Sequence, residues 1–212
     1  MEIAVCLTTA VVAYLLGSIP TGYLVGMAKG IDVRKAGSGN IGATNAFRIL
    51  GKGAGILVLF VDALKGWLAA AVVPNLAHQM LNAGGENIEY LQIIGGVMVI
   101  LGHNYTCWLK FKGGKGIATS AGVLIALIPA AFGVCLVAWV VVFFLTRYVS
   151  LASIAAAVSL PFSTWAFGSS YSMLVVATIL SVLAIYKHKP NIERLLNGTE
   201  NKLGRKKDPT IS

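Results

Sequence analysis

Two glycine-rich segments of this 212-residue chain carry side chains suited to holding phosphate oxygens. In the first, GSGNIGATNAFR at 37–48, Gly37, Gly39 and Gly42 alternate with Ser38, Asn40, Thr44 and Asn45, and Arg48 closes the run. Glycine permits positive φ and close approach of the backbone, while short hydroxyl and amide side chains supply hydrogen bonds. Such a loop forms an anion-binding nest, to which the Arg48 guanidinium adds a planar fork. In the second, GHNYTCWLKFKGGKGIATS at 102–120, Lys112, Gly113, Gly114, Lys115 and Gly116 lead into an apolar stretch. A glycine loop that opens onto a helix N-terminus offers unbonded N–H groups and a partial positive charge. Lys115 adds a full charge, and Thr119 and Ser120 add hydroxyls from the first turns. The spacing is not that of a Walker A loop, and no acidic residue stands nearby to hold magnesium, which argues against nucleotide hydrolysis. His103 and Asn104 precede this loop as ligand groups, as a base, or as the polar cap of the apolar run before them.

A third polar segment, KHKPNIERLLNGTENK at 187–202, follows the last apolar run. Pro190 at a first helical position, with Glu193 and Arg194 behind it, predicts a short amphipathic helix ended by Gly198. That helix accounts for Leu195 and Leu196 but does not require His188, Asn191, Glu200 or Lys202. One further pair, Asp62 and Lys65, sits three residues apart inside an apolar run and therefore on one helical face. A lone Lys at the centre of a membrane helix costs roughly 2.5–3.5 kcal/mol, so the pair is either a structural ion pair or part of the floor of a site.

The elements that position these segments are membrane-spanning helices. Hydrophobic residues make up 57% of the chain and charged ones 12%, with a mean hydropathy of +0.78, more than a soluble interior accommodates. Apolar runs near 3–27, 54–74, 90–107, 117–132, 133–146, 150–167 and 171–186 give an all-α polytopic protein with seven transmembrane helices. The longer runs meet the roughly 20 residues needed to cross about 30 Å of hydrocarbon. Five spans is the alternative, because only Pro129, Gly133, Arg147 and Tyr148 punctuate 117–167. The first run lacks a basic leader and contains Pro20, so it reads as a permanent span. With the N-terminus outside and the C-terminus cytoplasmic, sixteen of the seventeen Lys and Arg residues fall on the inner side, and only Lys65 lies within a span. The outer positions keep Glu2, Glu86 and Glu89. The net charge of +9 is thus explained by membrane orientation and contact with anionic membrane lipids, with no nucleic-acid motif present. Residues 1–212 read as a single transmembrane domain, of which 201–212 form a basic cytoplasmic tail. Cys6, Cys107 and Cys135 suggest neither a disulfide framework nor a metal site.

The three polar segments, in this order and on one face, resemble those of the bacterial membrane-bound glycerol-3-phosphate acyltransferases that use acyl-phosphate. The matching residues are GSGNIGATN with Arg48, GHNY followed by FKGGKGIATS, and KHKPNI with RL, GTE and Lys202; Ile41 stands where many relatives have proline. The resemblance covers essentially the whole chain. It implies transfer of a fatty acyl group from acyl-phosphate to the 1-hydroxyl of glycerol 3-phosphate, giving lysophosphatidic acid and phosphate, the first acylation of phospholipid synthesis. It implies a bacterial cytoplasmic (inner) membrane location with the site facing the cytoplasm. No metal, cofactor or obligate protein partner is implied.

Ser38, Arg48, Lys115, His188 and Asn191 are then the expected catalytic set. Gly37, Gly39, Asn40, Thr44, Asn45, His103, Asn104, Lys112, Gly113, Gly114, Gly116, Thr119 and Ser120 are the expected phosphate-binding set, with Asp62, Lys65 and Glu200 in support. In this scheme Lys115 and the N–H groups of Gly113 to Gly116 hold one phosphate, Arg48 with Ser38, Asn40 and Thr44 holds the other, and a substrate phosphate takes the hydroxyl proton. Which loop takes which substrate stays open. A transporter would place its polar groups near the bilayer midplane, whereas here they cluster at one surface. A phosphatidyltransferase or phosphatase would carry an aspartate-rich or histidine signature that is missing.

Overall fold

A computed structural model describes residues 2–81 and 87–203. Glu86 and most of the basic tail, from Gly204 onward, lie outside the described residues. Every regular element among the described residues is helical.

Proline sets the first break. Helix α1 (Glu2–Ser18) stops before Ile19 and Pro20, and α2 (Thr21–Ala28) resumes beyond them. Pro20 has no N–H to give, and its ring crowds the carbonyl one turn back, so a continuous ladder cannot pass. The expected first span survives as one apolar segment, Ile3–Ala28, with a break in it. After the first glycine loop come α3 (Ala43–Leu50) and α4 (Lys52–Ala71), joined at Gly51 (φ 93°), then α5 (Val73–Met80) and α6 (Ile88–Asn104). The second glycine loop leads into α7 (Ile117–Leu127).

The expected span 117–132 does not form as one helix. Helix α7 ends at Leu127, and α8 (Pro129–Thr146) begins at Pro129 rather than near Gly133. Ile128, between them, has φ −140° and ψ 64°, outside the α region that a following proline disfavours. At 1.5 Å per residue α7 is about 16 Å long, near half the thickness of a bilayer core. Four helical segments have the length and hydropathy of a crossing: Ile3–Ala28, Lys52–Met80, Pro129–Thr146 and Val149–Ala166. The pair α10 (Tyr171–Lys187) and α11 (Lys189–Leu196), bent by 54°, makes a fifth.

The chain divides into two units, Met1–Pro129 and Ala130–Ser212. In the first, helices meet backbone to backbone at glycines. A Cβ at Gly17 or Gly102 would overlap a carbonyl of the other helix in the α1–α6 pair, and one at Gly66 or Gly122 would do the same between α4 and α7. Lipid supplies no hydrophobic drive between helices, so close van der Waals approach of this kind is what joins them. In the second unit, α9 (Val149–Ala166) contains Pro161, which cannot donate to the carbonyl of Ala157. Ser181 Oγ of α10 donates to that carbonyl instead, at 2.6 Å. Trp139 Nε1 donates to Ser153 Oγ at 3.2 Å and ties α8 to α9.

Candidate functional site

The two glycine loops of the first unit share a small apolar cluster. Val33, just before the first loop, and Ile41, within it, are buried against Leu109, which precedes the second. Both loops therefore stand at the same end of that unit.

The first loop folds around one amide. Asn45 is buried on α3, and its Nδ2 donates toward the carbonyls of Val33, Ala36 and Asn40 at 3.0, 3.1 and 2.9 Å, while its Oδ1 accepts from Ser38 N at 2.9 Å. The Asn45 side chain, expected to bind phosphate, is here bonded within the loop that it shapes. Gly37 and Gly39, at φ 62° and 70°, make the left-handed turns that wrap the backbone around it. Asn40 Oδ1 accepts from Gly42 N at 2.8 Å. Ser38 is left exposed at the loop tip, with Thr44 and Arg48 half-buried on α3, four residues apart and hence on one face. Upstream, Asp32 binds Arg34 through its backbone N and its guanidinium, and the hydrogen bond to the Arg34 side chain holds the Asp32 carboxyl down at about 2. Arg34 also covers the Tyr23 ring at 4.5 Å.

The second loop is pinned to the end of α6. Gly113 N donates to Asn104 O at 3.2 Å and Gly114 N to His103 O at 3.0 Å. These two N–H groups, expected to hold phosphate, are bonded within the chain here, and both glycines sit where a side chain would be crowded. A Cβ at Gly113 would overlap the His103 carbonyl, and one at Gly114 would overlap His103 Nε2. His103 and Asn104 lie buried beneath the loop rather than at its surface. Gly116, at φ 81°, turns the chain into α7, whose first internal bond runs from Ser120 N to Gly116 O at 2.7 Å. The N–H groups of Ile117, Ala118 and Thr119 thus open at the helix end, the position where an anion is favoured. Thr119 Oγ1 is wholly buried with no hydrogen-bond partner among the described residues. Lys115 and Ser120 are half-buried beside this helix end, and Lys112 is exposed.

Beneath both loops lies a buried polar group, of which spacing revealed the Asp62–Lys65 pair but not Thr21 or His103. Asp62 Oδ1 accepts from Thr21 Oγ1 at 3.0 Å, pairs with Lys65 Nζ at 2.9 Å and stands 3.7 Å from His103 Nδ1. Lys65 Nζ also donates to Ile19 O at 3.0 Å, at the break between α1 and α2. The sequence signal was the Asp in an apolar run, which demands partners; the histidine 41 positions later carries no local cue.

In the second unit the expected amphipathic helix forms as α11, with Pro190 in its first turn and Gly198 at φ 68° beyond its end. Glu200 accepts from Ser150 Oγ at 3.0 Å, Asn191 Nδ2 at 2.8 Å and Arg194 Nε at 2.7 Å. Burial pushes its carboxyl up, and these hydrogen bonds together outweigh burial and hold it below the usual 4.5. His188 Nδ1 meets Ala184 O at 2.8 Å. Glu193 is exposed, whereas Asn191 and His188 are buried, the first held by Glu200 and the second by the end of α10.

Apolar helices that carry anion-suited loops at the end of one unit define a helical membrane protein. The chain belongs to the glycerol-3-phosphate acyltransferase family, whose model matches residues 7–198. It is 43% identical over 195 residues to the glycerol-3-phosphate acyltransferase of Fusobacterium nucleatum, covering 91% of this chain and 95% of the relative. The Bacillus subtilis glycerol-3-phosphate acyltransferase is 42% identical over 194 residues, again covering 91% and 95%. The crystal structure of PlsY (YgiH), an integral membrane glycerol 3-phosphate acyltransferase, in its glycerol 3-phosphate form is 40% identical with a TM-score of 0.84, covering 94% of this chain and 96% of that one. Its lysophosphatidic acid form gives 39% and 0.81, with 94% and 95% covered.

Proposed function

We propose that this chain transfers a fatty acyl group from acyl-phosphate to the 1-hydroxyl of glycerol 3-phosphate at the cytoplasmic face of a bacterial inner membrane. The observation that carries the reading is the pairing of two glycine loops, each beside a cation, at one end of one unit: Arg48 with the first and Lys115 with the second. Two phosphate-bearing substrates need two such receivers. In the reaction, the hydroxyl oxygen bonds to the acyl carbonyl carbon, the carbonyl carbon–phosphate oxygen bond breaks, and phosphate departs with the electron pair. Phosphate is already a good leaving group, so the protein's work is to align the reactants and offset the repulsion between two dianions. Lys115 and the open end of α7 hold one phosphate; Arg48, Thr44, Ser38 and Asn40 hold the other. From the resemblance, His188 at the end of α10 and Asn191 of α11 belong to the catalytic set, with Glu200 bracing Asn191.

The hydroxyl proton goes to a substrate phosphate, whose second pKa near 6, as in phosphorylated side chains, suits that role. His103 lies under its loop, and His188 is held at the end of α10, which supports a positioning role for both. Under this reading His103→Gln and His188→Gln keep measurable turnover; a loss of about 10³ in kcat with disappearance of a titration near 6.5 identifies that histidine as the base instead.

The topology we infer is seven crossings with the N-terminus outside. Helix α4 leaves the end where the glycine loops pack together, and α6 must return to it to deliver Leu109 and the second loop, which supports counting α6 as a crossing beside the five longer segments; the short α7, which starts from that end, is taken as the seventh. The deciding experiment incubates the purified protein with labelled glycerol 3-phosphate and either acyl-phosphate or acyl-CoA. Lysophosphatidic acid is expected with acyl-phosphate alone; formation from acyl-CoA alone overturns the donor.

A further inference from the structure

Three helices meet at one buried carboxylate, and a loop reaches it through an imidazole. Thr21 opens α2, Asp62 and Lys65 lie on α4, His103 ends α6, and Gly114 belongs to the loop that feeds α7. The connections run in series. Thr21 and Lys65 hold Asp62 Oδ1 from two sides, and Lys65 is itself tied to Ile19 O. His103 Nδ1 faces the same oxygen, and the opposite ring nitrogen, Nε2, lies where a Cβ on Gly114 would have to go. The imidazole is therefore a spacer between the carboxylate and the loop, with one nitrogen toward each. Side chains of Asp62, Lys65 and His103 are all 5% exposed or less, so none of this rests on solvent-facing contacts.

We propose that Asp62 is a positioning residue: acting through the His103 ring, it sets the height of the Gly113–Gly116 backbone and so aims Lys115 and the first turn of α7. A buried ion pair alone would need only the charges of Asp62 and Lys65. It would not need the Thr21 hydroxyl on the carboxylate, nor a ring between the carboxylate and a glycine that admits no side chain. Helix α4 also presses on α7 directly, since a Cβ at Gly66 would overlap the Thr119 carbonyl. The same helix thus supports the loop from below through Asp62 and the helix after it through Gly66. The functional consequence rests on the reading that this loop receives phosphate; the structural one does not.

The test uses the whole chain in detergent and separates charge neutralisation from positioning. Asp62→Asn leaves Lys65 as a lone buried cation and lowers stability. Asp62→Asn combined with Lys65→Met removes both charges and restores the unfolding midpoint, because a buried pair can be replaced by apolar groups at little cost. If Asp62 positions the loop, the double variant nonetheless exchanges its 112–118 amide hydrogens about tenfold faster than the wild type and raises KM for one phosphate-bearing substrate by about tenfold, with kcat changed by less than about threefold. Wild-type exchange and KM in a stable double variant overturn the proposal and leave Asp62 as the neutraliser of Lys65. Should the double variant not fold, Asp62→Glu decides. It keeps the charge but moves the carboxylate relative to the ring, so faster loop exchange supports positioning and unchanged exchange refutes it. Lys115→Ala is the parallel control: if it leaves kcat/KM unchanged for both substrates, the phosphate reading of the loop fails, while the exchange measurement still judges Asp62.

Discussion

Alanine at position 122 tests whether α4 and α7 meet backbone to backbone. A Cβ there would stand 2.8 Å from Ala63 C and from Trp67 N and would overlap Ala63 O. Bringing the two 2.8 Å contacts out to 3.4 Å requires the helices to part locally by at least about 0.6 Å, and the carbonyl oxygen requires more. The obstacle is backbone, which cannot rotate aside as a side chain does, so the cost belongs at the upper end of overpacking, about 3 kcal/mol. Replacing a helical glycine by alanine returns about 1 kcal/mol, leaving a net loss of about 2 kcal/mol. Gly133, inside α8, has nothing within 4 Å of its Cβ direction, so Gly133→Ala keeps only the gain of about 0.5–1 kcal/mol. Denaturant-driven unfolding in mixed micelles measures the gap between the two variants, expected at about 2.5–3 kcal/mol, together with a loss of activity in Gly122→Ala as the opening turn of α7 shifts. Equal midpoints for the two variants refute the close α4–α7 contact.

Lys115→Ala and Arg48→Ala each remove a cation from a loop and are expected to abolish or severely reduce acyl transfer, whereas Lys206→Ala, outside the described residues, leaves it nearly unchanged; steady-state assays compare the three. Cysteines introduced at Ser38 and Asn201 should react with an impermeant reagent only from the cytoplasmic side, and one at Glu86 only from outside; labelling of the first two from opposite faces breaks the one-sided site. Because the Glu200 carboxyl is held below its usual 4.5, its contribution to stability is present above that pH and is lost as the pH falls through the lower folded value. Glu200→Gln should flatten this acid limb in unfolding curves between pH 6 and pH 3, a window taken around the roughly 4.3 of a free Glu.

What was legible in the sequence was whatever a local rule determines. Pro190 acts on its own neighbours and announced the start of α11, whereas the expected spans ran through Pro20 and Pro129, and the 133 boundary failed because Pro129 outranks Gly133 as a breaker. The loop glycines were legible as a motif but not in purpose. Gly113 and Gly114 look like donors to a ligand; their N–H groups instead bond back to α6, a fact that depends on a strand of chain nine or more residues away. The bonds of Asn45 to its own loop were hidden for the same reason, since an amide near glycines serves a ligand or the loop equally well in one dimension. The Asp62–His103 approach and the Ser150–Glu200 bond join positions 41 and 50 residues apart, and only packing brings such groups together.

The carbonyl of Ala157 has a consequence for how the protein is made. Until α10 docks, the proline four residues on leaves that oxygen without its ladder partner in a medium that offers no water. Helix α9 entering the bilayer alone would carry an orphaned acceptor, whereas α9 and α10 entering together, joined by the short turn from Phe167 to Ser170, bring the Ser181 hydroxyl with them. The serine thus makes the helical hairpin, rather than the single helix, the natural unit of membrane insertion for this part of the chain.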